Sequence, residues 1–154
     1  MRAGQRLKSR RPAIITREED TPLSRTITVR SRSRQELIEI TPGIHDALHE
    51  MGAGTGVCHI FVPHTTAGII VNENADPDVA SDMLDWLDSA VPQSRPFRHA
   101  EGTSPAHIKA TLVGQWATIP LQDGRLALGT WQGVFLAEFD GPRSRMVVIK
   151  VVTA

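Results

Sequence analysis

The sequence predicts an α+β fold built on a mainly antiparallel sheet. Three observations carry that reading. Short segments with strand periodicity recur along the chain, and three segments have helical spacing behind a Pro-containing start. The two kinds do not alternate strictly, as parallel βαβ units would. At 154 residues, 40% hydrophobic and 22% charged, the chain suits a single domain with its own core.

Residues 1–23 read as a flexible basic arm and residues 24–154 as the folded domain. The arm opens with Arg2, Arg6, Lys8, Arg10 and Arg11 and no acid, and it has almost no apolar periodicity. It also lacks the apolar stretch of a signal peptide. Residues 25–30 alternate polar and apolar side chains, the period of a half-buried strand, and residues 36–40 form a second short strand. Thr41-Pro42 starts a helix, with Thr41 as its cap. Ile44, Ala47, Leu48 and Met51 share one face, and Gly52 ends it. Residues 56–63 and 67–72 are continuous β-rich runs, expected to be buried strands, with His59 as a core residue.

Asp76-Pro77 starts the second helix. Val79, Ala80, Met83, Leu84 and Leu87 are its core stripe, opposite Asp78, Asp82 and Asp85. Ser104-Pro105 starts a short third helix that runs to Gly114. Strands and turns follow. One hairpin is expected across Gln122-Asp123-Gly124, and another across Asp140-Gly141-Pro142-Arg143, joining residues 132–139 to 145–152. The last strand is apolar on both faces, which calls for a cover beyond the first core layer, and another subunit would supply it.

Composition limits the partners. Net charge is zero, so no global field draws the chain to nucleic acid or membrane. No apolar run approaches the ~20 residues of a membrane span. The lone Cys58 sits in an apolar run as an inert thiol, which fits a reducing cytoplasm.

The polar clusters carry the chemistry. One hydrophobic strand ends in His64-Thr65-Thr66, and the next ends in Asn72-Glu73-Asn74-Ala75-Asp76. Such groups gather where a strand gives way to a loop that binds or reacts, although a hydrogen-bonded turn explains His64 equally well. His99 and His107 bracket a loop, and His107 lies in the first turn of the third helix, where free N–H groups suit an anion. His64, His99 and His107 could converge as a three-nitrogen metal site or act as acids and bases. His45 and His49, four apart on the first helix, have no third ligand and read as a solvated face.

Gly129-Thr130-Trp131-Gln132-Gly133 is either a glycine-bulged strand packing Trp131 inward or a ligand-facing backbone with Gln132 as an orienting donor. Arg143 and Arg145 could clamp a phosphate. No GxxxxGK[ST], GxGxxG or GxSxG segment is present.

Five segments together resemble the YjbQ-type family, also called the secondary thiamine-phosphate synthase family. They are His64-Thr65-Thr66-Ala67-Gly68, Asn72 to Asp78, His99 to Ala110, Gly129 to Gly133, and Glu138 to Arg143. The resemblance runs from Ser24 to the C-terminus, in order. Phe97 stands where the family often has Tyr, and Thr103 where it often has Asn.

The resemblance implies an α+β sandwich assembled as a homotrimer about a threefold axis. It implies a transferase that joins a pyrimidine methyl diphosphate to a thiazole phosphate with loss of diphosphate, as a secondary activity. His64, Glu73, His99, His107 and Gln132 are the expected catalytic set. Thr65, Thr66, Asn72, Asp82, Trp131, Arg143 and Arg145 are the expected substrate contacts. A divalent metal is expected too. Zn²⁺ would take the three histidines, whereas Mg²⁺ would take Glu73, Asp76 and Asp82. A metal-dependent hydrolase of a small phosphorylated metabolite and a non-enzymatic trimeric binding protein are the alternatives.

Overall fold

A computed structural model describes residues 23–153. Eight strands and three helices follow in the order β1 (Leu23–Arg30), β2 (Glu36–Glu39), α1 (Thr41–Glu50), β3 (Gly56–Phe61), β4 (Ala67–Glu73), α2 (Pro77–Ala90), α3 (Ser104–Val113), β5 (Trp116–Gln122), β6 (Arg125–Leu126), β7 (Gln132–Glu138) and β8 (Ser144–Thr153). The basic arm thus lies outside the described residues, except that its last residue, Leu23, already pairs in β1. No helix among the described residues is long and apolar enough to cross a membrane.

The strands form two antiparallel sheets. One has five strands in the order β1-β8-β3-β5-β6, and the other has three in the order β2-β7-β4. Cys58 and Ile60 of β3 and Val147, Ile149 and Val151 of β8 share a buried cluster with Ala67 and Ile69 of β4 and Val134 and Leu136 of β7. The main core therefore takes side chains from both sheets. Cys58 is fully buried there, and burial pushes its thiol up to about 11, so the thiol is inert.

β7 is buried on both faces. Leu136 joins the main core, while Ala137 packs with Leu87 of α2 and with Ala106 and Ala110 of α3 in a second cluster. Two-sided burial is the physical reason for its unbroken apolar run. α3 reaches the sheet closely because residue 68 is glycine. A Cβ there would stand 2.5 Å from the Gly114 carbonyl oxygen.

Several expectations need correction. β7 and β8 are not a hairpin: they belong to different sheets, and the Asp140–Arg143 segment carries the chain from one to the other. Thr41 does not cap α1. Its hydroxyl accepts from the Val134 N–H at 2.8 Å, tying the helix to β7, and the cap position is Ile40. β3 is half-buried rather than fully buried, with Cys58 and Ile60 inward and Val57, His59 and Phe61 outward. His59 is therefore no core residue; its Nδ1 bonds the Thr118 hydroxyl at 2.8 Å. Of the α2 stripe, Leu87 alone is fully buried, and Trp86 beside it is exposed. The α2 cap holds: the Asp76 side chain accepts from the Asp78 N–H at 2.9 Å. The Asp123-Gly124 turn between β5 and β6 also holds, with both residues at positive φ.

The outward face of the five-stranded sheet carries apolar side chains. Val57 pairs with Val152, and Phe61 pairs with both Trp116 and Val148. Of these, Val57, Val152, Phe61 and Trp116 are exposed, as is Met146 farther along β8.

Candidate functional site: a cleft between the β3–β4 loop and α3

Val62 to Thr66 links the two sheets. Pro63 has no N–H to offer β5, so pairing stops there; the Val62 N–H bonds the Gln115 carbonyl at 2.8 Å, and the Phe139 N–H bonds the Thr66 carbonyl at 3.2 Å. The loop is thus pinned at both ends, with His64 and Thr65 between. α3 lies opposite. Thr103, His107 and Thr111 stand four apart, so they share one helix face. Between loop and helix lie two adjoining pockets of about 360 and 510 Å³, which share Pro63, His64, Thr65 and His107. The first adds Thr66, Glu101, Asp140, Arg143 and Arg145; the second adds Phe61 and Val62. One end of the cleft carries charges of both signs and the other is mainly apolar.

The charged end rests on a buried ion pair. Glu138 is 0% exposed and Arg145 4%. Arg145 Nε donates to Glu138 Oε2 at 2.9 Å and Nη2 to Oε1 at 2.5 Å, a two-pronged geometry that suits a guanidinium and a carboxylate. The Ser31 hydroxyl and the Asp140 N–H also donate to Glu138, each at 2.9 Å. Burial alone would raise the Glu138 pKa, but these bonds outweigh it and hold the carboxyl below its usual range. Arg145 Nη2 donates as well to Thr66 Oγ1 at 2.7 Å. Its Nη1 takes no acceptor among the described residues and is left for the cleft. Arg143 stands at the rim, held by Asp140 through Nη2 at 2.6 Å and through Nε to the carbonyl at 2.7 Å.

His64 Nε2 accepts the Met146 backbone N–H at 2.9 Å. An N–H can only donate, so that nitrogen carries the lone pair and the proton sits on Nδ1. Burial lowers the His64 pKa first. Arg145 and Arg143 lower it further, against an opposing pull from Glu138. A folded histidine that resists a proton contributes stability above its unfolded value of about 6.5, and that stability is lost as pH falls through the lower folded value. His45, whose Nε2 is buried without a partner among the described residues, is shifted in the same direction by burial and then by Arg125, against Asp46. A His64→Gln variant keeps an acceptor for Met146 but does not titrate. Its melting temperature is expected to fall less steeply with acidification below about pH 6.5 than that of the parent. Equal slopes would exclude His64 as a contributor.

Of the expected site residues, the structure gathers His64, Thr65, Thr66, His107, Arg143 and Arg145 on this cleft. His99 lines neither pocket; it packs edge-on to His107 with ring centroids 5.6 Å apart, and its Nε2 is 3.5 Å from Glu101. The other residues lie elsewhere within one chain. Ala67 pairs with Glu138 and Glu73 with Gln132, so Glu73 and Gln132 lie at the far end of β4 and β7, about 20 Å away at strand rise. Gln132 Oε1 closes its own turn by accepting the Gly129 N–H at 2.8 Å, and Trp131 is 65% exposed rather than packed inward. Asn72 approaches Met83 of α2, and Asp82 lines an apolar groove with Met83 and Trp86.

The three histidines do not fit a metal triad within one chain. The available lone pair of His64 is taken by Met146. No group of three or more His, Cys, Asp or Glu converges for a metal among the described residues. The expected site residues did not include Glu138, Ser31, Glu101, Thr103 and Asp140, although all but Ser31 lie in the segments that carry the family resemblance. A lone carboxylate between Ala137 and Phe139, in an otherwise apolar run, was the available signal for Glu138.

The profile of the family described as "UPF0047 protein YjbQ-like" matches residues 25–154. The UPF0047 protein MJ1081 of Methanocaldococcus jannaschii is 49% identical over 124 residues, covering 80% of this chain and 90% of that one. The UPF0047 protein YugU of Bacillus subtilis is 45% identical over 129 residues, covering 83% and 98%. Two crystal structures share the fold. A YjbQ/UPF0047 protein from Clostridium acetobutylicum is 45% identical with a TM-score of 0.80, covering 82% of this chain and 98% of that one. A YbjQ-like protein from Sulfolobus solfataricus is 32% identical with a TM-score of 0.82, covering 86% and 98%.

Proposed function

The chain belongs to the YjbQ-like UPF0047 family, and on that premise we propose that its cleft is the site of a transferase acting on phosphorylated heterocycles. The reaction joins a pyrimidine methyl diphosphate to a thiazole phosphate. The thiazole nitrogen attacks the methylene carbon, a C–N bond forms, the C–O bond breaks, and diphosphate leaves with the electron pair. The observation that carries the reading is the free edge of Arg145, held buried by Glu138 and facing the cleft beside Arg143. Leaving diphosphate needs neutralisation of developing charge, and a fixed guanidinium in a partly dry site supplies it.

Other groups fit the same chemistry. The Thr66 hydroxyl accepts from Arg145, so its own proton is free to donate to a phosphoryl oxygen. His64, with its proton on Nδ1, is a neutral donor. The side chain of His107 makes no hydrogen bond among the described residues and can exchange a proton with the leaving group. Phe61, Val62 and Pro63 offer an apolar wall to a flat ring. The diphosphate would enter as its Mg²⁺ complex, with Glu101 and Asp140 as the cleft carboxylates able to meet the ion.

The family resemblance also implies a sandwich arrangement and a homotrimer. The apolar side chains on the outer face of β3, β5 and β8 support a second copy as their cover. Assembly would also give Glu73, Gln132 and Trp131 a route to a neighbouring cleft. The experiment supplies purified protein with both precursors and Mg²⁺. Thiamine phosphate is expected to form, and to fall by ~10²-fold or more in a His64→Ala/His107→Ala double variant. Product no greater than that from the double variant would overturn the reading. Tight precursor binding without turnover would instead favour a non-enzymatic binding protein.

A further inference from the structure

We propose that a second cleft, on the other side of α3 from His107, is a binding site for a small oxyanion such as phosphate. Pro105, Ala106 and Lys109 of α3 line it together with Arg34 and Ser94, around about 390 Å³, a volume suited to a small ligand.

Four observations point there. First, Lys109 is only 3% exposed. Its Nζ donates to Gln35 Oε1 at 2.7 Å and to Asp88 Oδ1, but an ammonium has three donors. The third has no protein acceptor among the described residues, and the cleft is where it can be satisfied. Second, Arg34 is fastened in place. Its Nη2 donates to Gln93 Oε1 at 2.7 Å, and Gln93 Nε2 donates to the Gly102 carbonyl at 2.8 Å. Among the described residues its Nε and Nη1 take no acceptor.

Third, α3 has no side-chain cap, and Pro105 and Ala106 of its first turn line this cleft. No acceptor among the described residues takes the Ala106 N–H, so the positive end of the helix is open on this side. Fourth, the charges do not cancel. Asp88 also lines the cleft, and its oxygens accept from Gln35 Nε2 at 2.7 Å and from Lys109. Two cations, Arg34 and Lys109, face it. One positive charge is left over, which an oxyanion neutralises and a neutral ligand does not.

The site uses none of the groups assigned to the transferase cleft, so the two proposals fail independently. The test is a titration of the full-length protein with inorganic phosphate, followed through backbone amide resonances. Potassium chloride at matched ionic strength is the control. Phosphate is expected to move the Ser94, Ala106 and Lys109 amides in a saturable way that chloride does not reproduce. Arg34 is exposed, so an Arg34→Gln variant will fold. It is expected to weaken this event by roughly tenfold, the scale of one charge-assisted hydrogen bond, while leaving any shifts at Thr65 and Thr66 unchanged. The proposal is overturned if those three amides stay still, if chloride moves them equally, or if Arg34→Gln binds as the parent does.

Discussion

Replacing Glu138 with Ala is expected to lower the unfolding free energy by about 3–5 kcal/mol, the cost of leaving a buried charge without its partner. Arg145 is almost wholly enclosed and would keep its charge, because a guanidinium does not give up its proton in a protein. The Ser31 hydroxyl and the Asp140 N–H would lose their acceptor at the same time. For a domain whose whole stability is about 5–15 kcal/mol, that is a large share. Urea denaturation of parent and variant measures it directly.

A Glu138→Met/Arg145→Met double variant is expected to recover most of the loss, since hydrophobic groups of similar volume often replace a buried ion pair at little net cost. It would nonetheless lose the cleft's fixed cation. The fold would then survive without anion binding in the transferase cleft, which separates the structural role of the pair from its chemical one. A loss below about 1 kcal/mol for Glu138→Ala would show that the pair is weakly coupled to the fold.

Mixing two inactive variants is expected to restore activity if the far-end residues act in a neighbouring subunit's cleft. His107→Ala and Glu73→Gln, each alone, are expected to lower turnover by ~10²-fold or more, the usual worth of a positioned acid or base. In a cyclic trimer with one cleft at each interface, an equal mixture leaves about a quarter of the clefts with both native groups. Restoration to about a quarter of the parent rate after joint refolding would show that the site is shared. No restoration, or an unimpaired Glu73→Gln, would confine the chemistry to the single-chain cleft. Sedimentation at micromolar concentration gives an independent check, because a stable monomer removes the shared site altogether.

Much of the fold was legible because local physics governs it. The spacing of Ile44, Ala47 and Leu48, the Asp76-Pro77 start of α2 and the Asp123-Gly124 turn each state a backbone preference within a few residues. The errors fell where a partner distant in sequence made the decision. Thr41 looked like a cap, but Val134 took its hydroxyl. The segment after β7 looked like a hairpin turn, but β8 already had β1 and β3 as neighbours. His59 sat in an apolar run, and only the β5 register shows that it points outward.

By itself the sequence determined the α+β class, the order of the elements, and the His64, His107, Arg143 and Arg145 candidates that meet on one cleft. Class and order follow from periodicity and caps, readable within a short window; the candidates rested on local polar clusters together with the family resemblance. Tertiary structure alone decided that Glu138 buries itself against Arg145, and that Met146 holds the His64 lone pair. It also decided that Glu73 and Gln132 stand at the far end of the sheet. Each of these depends on strand register between segments far apart in the chain. Register is a property of pairing, and no single segment carries it.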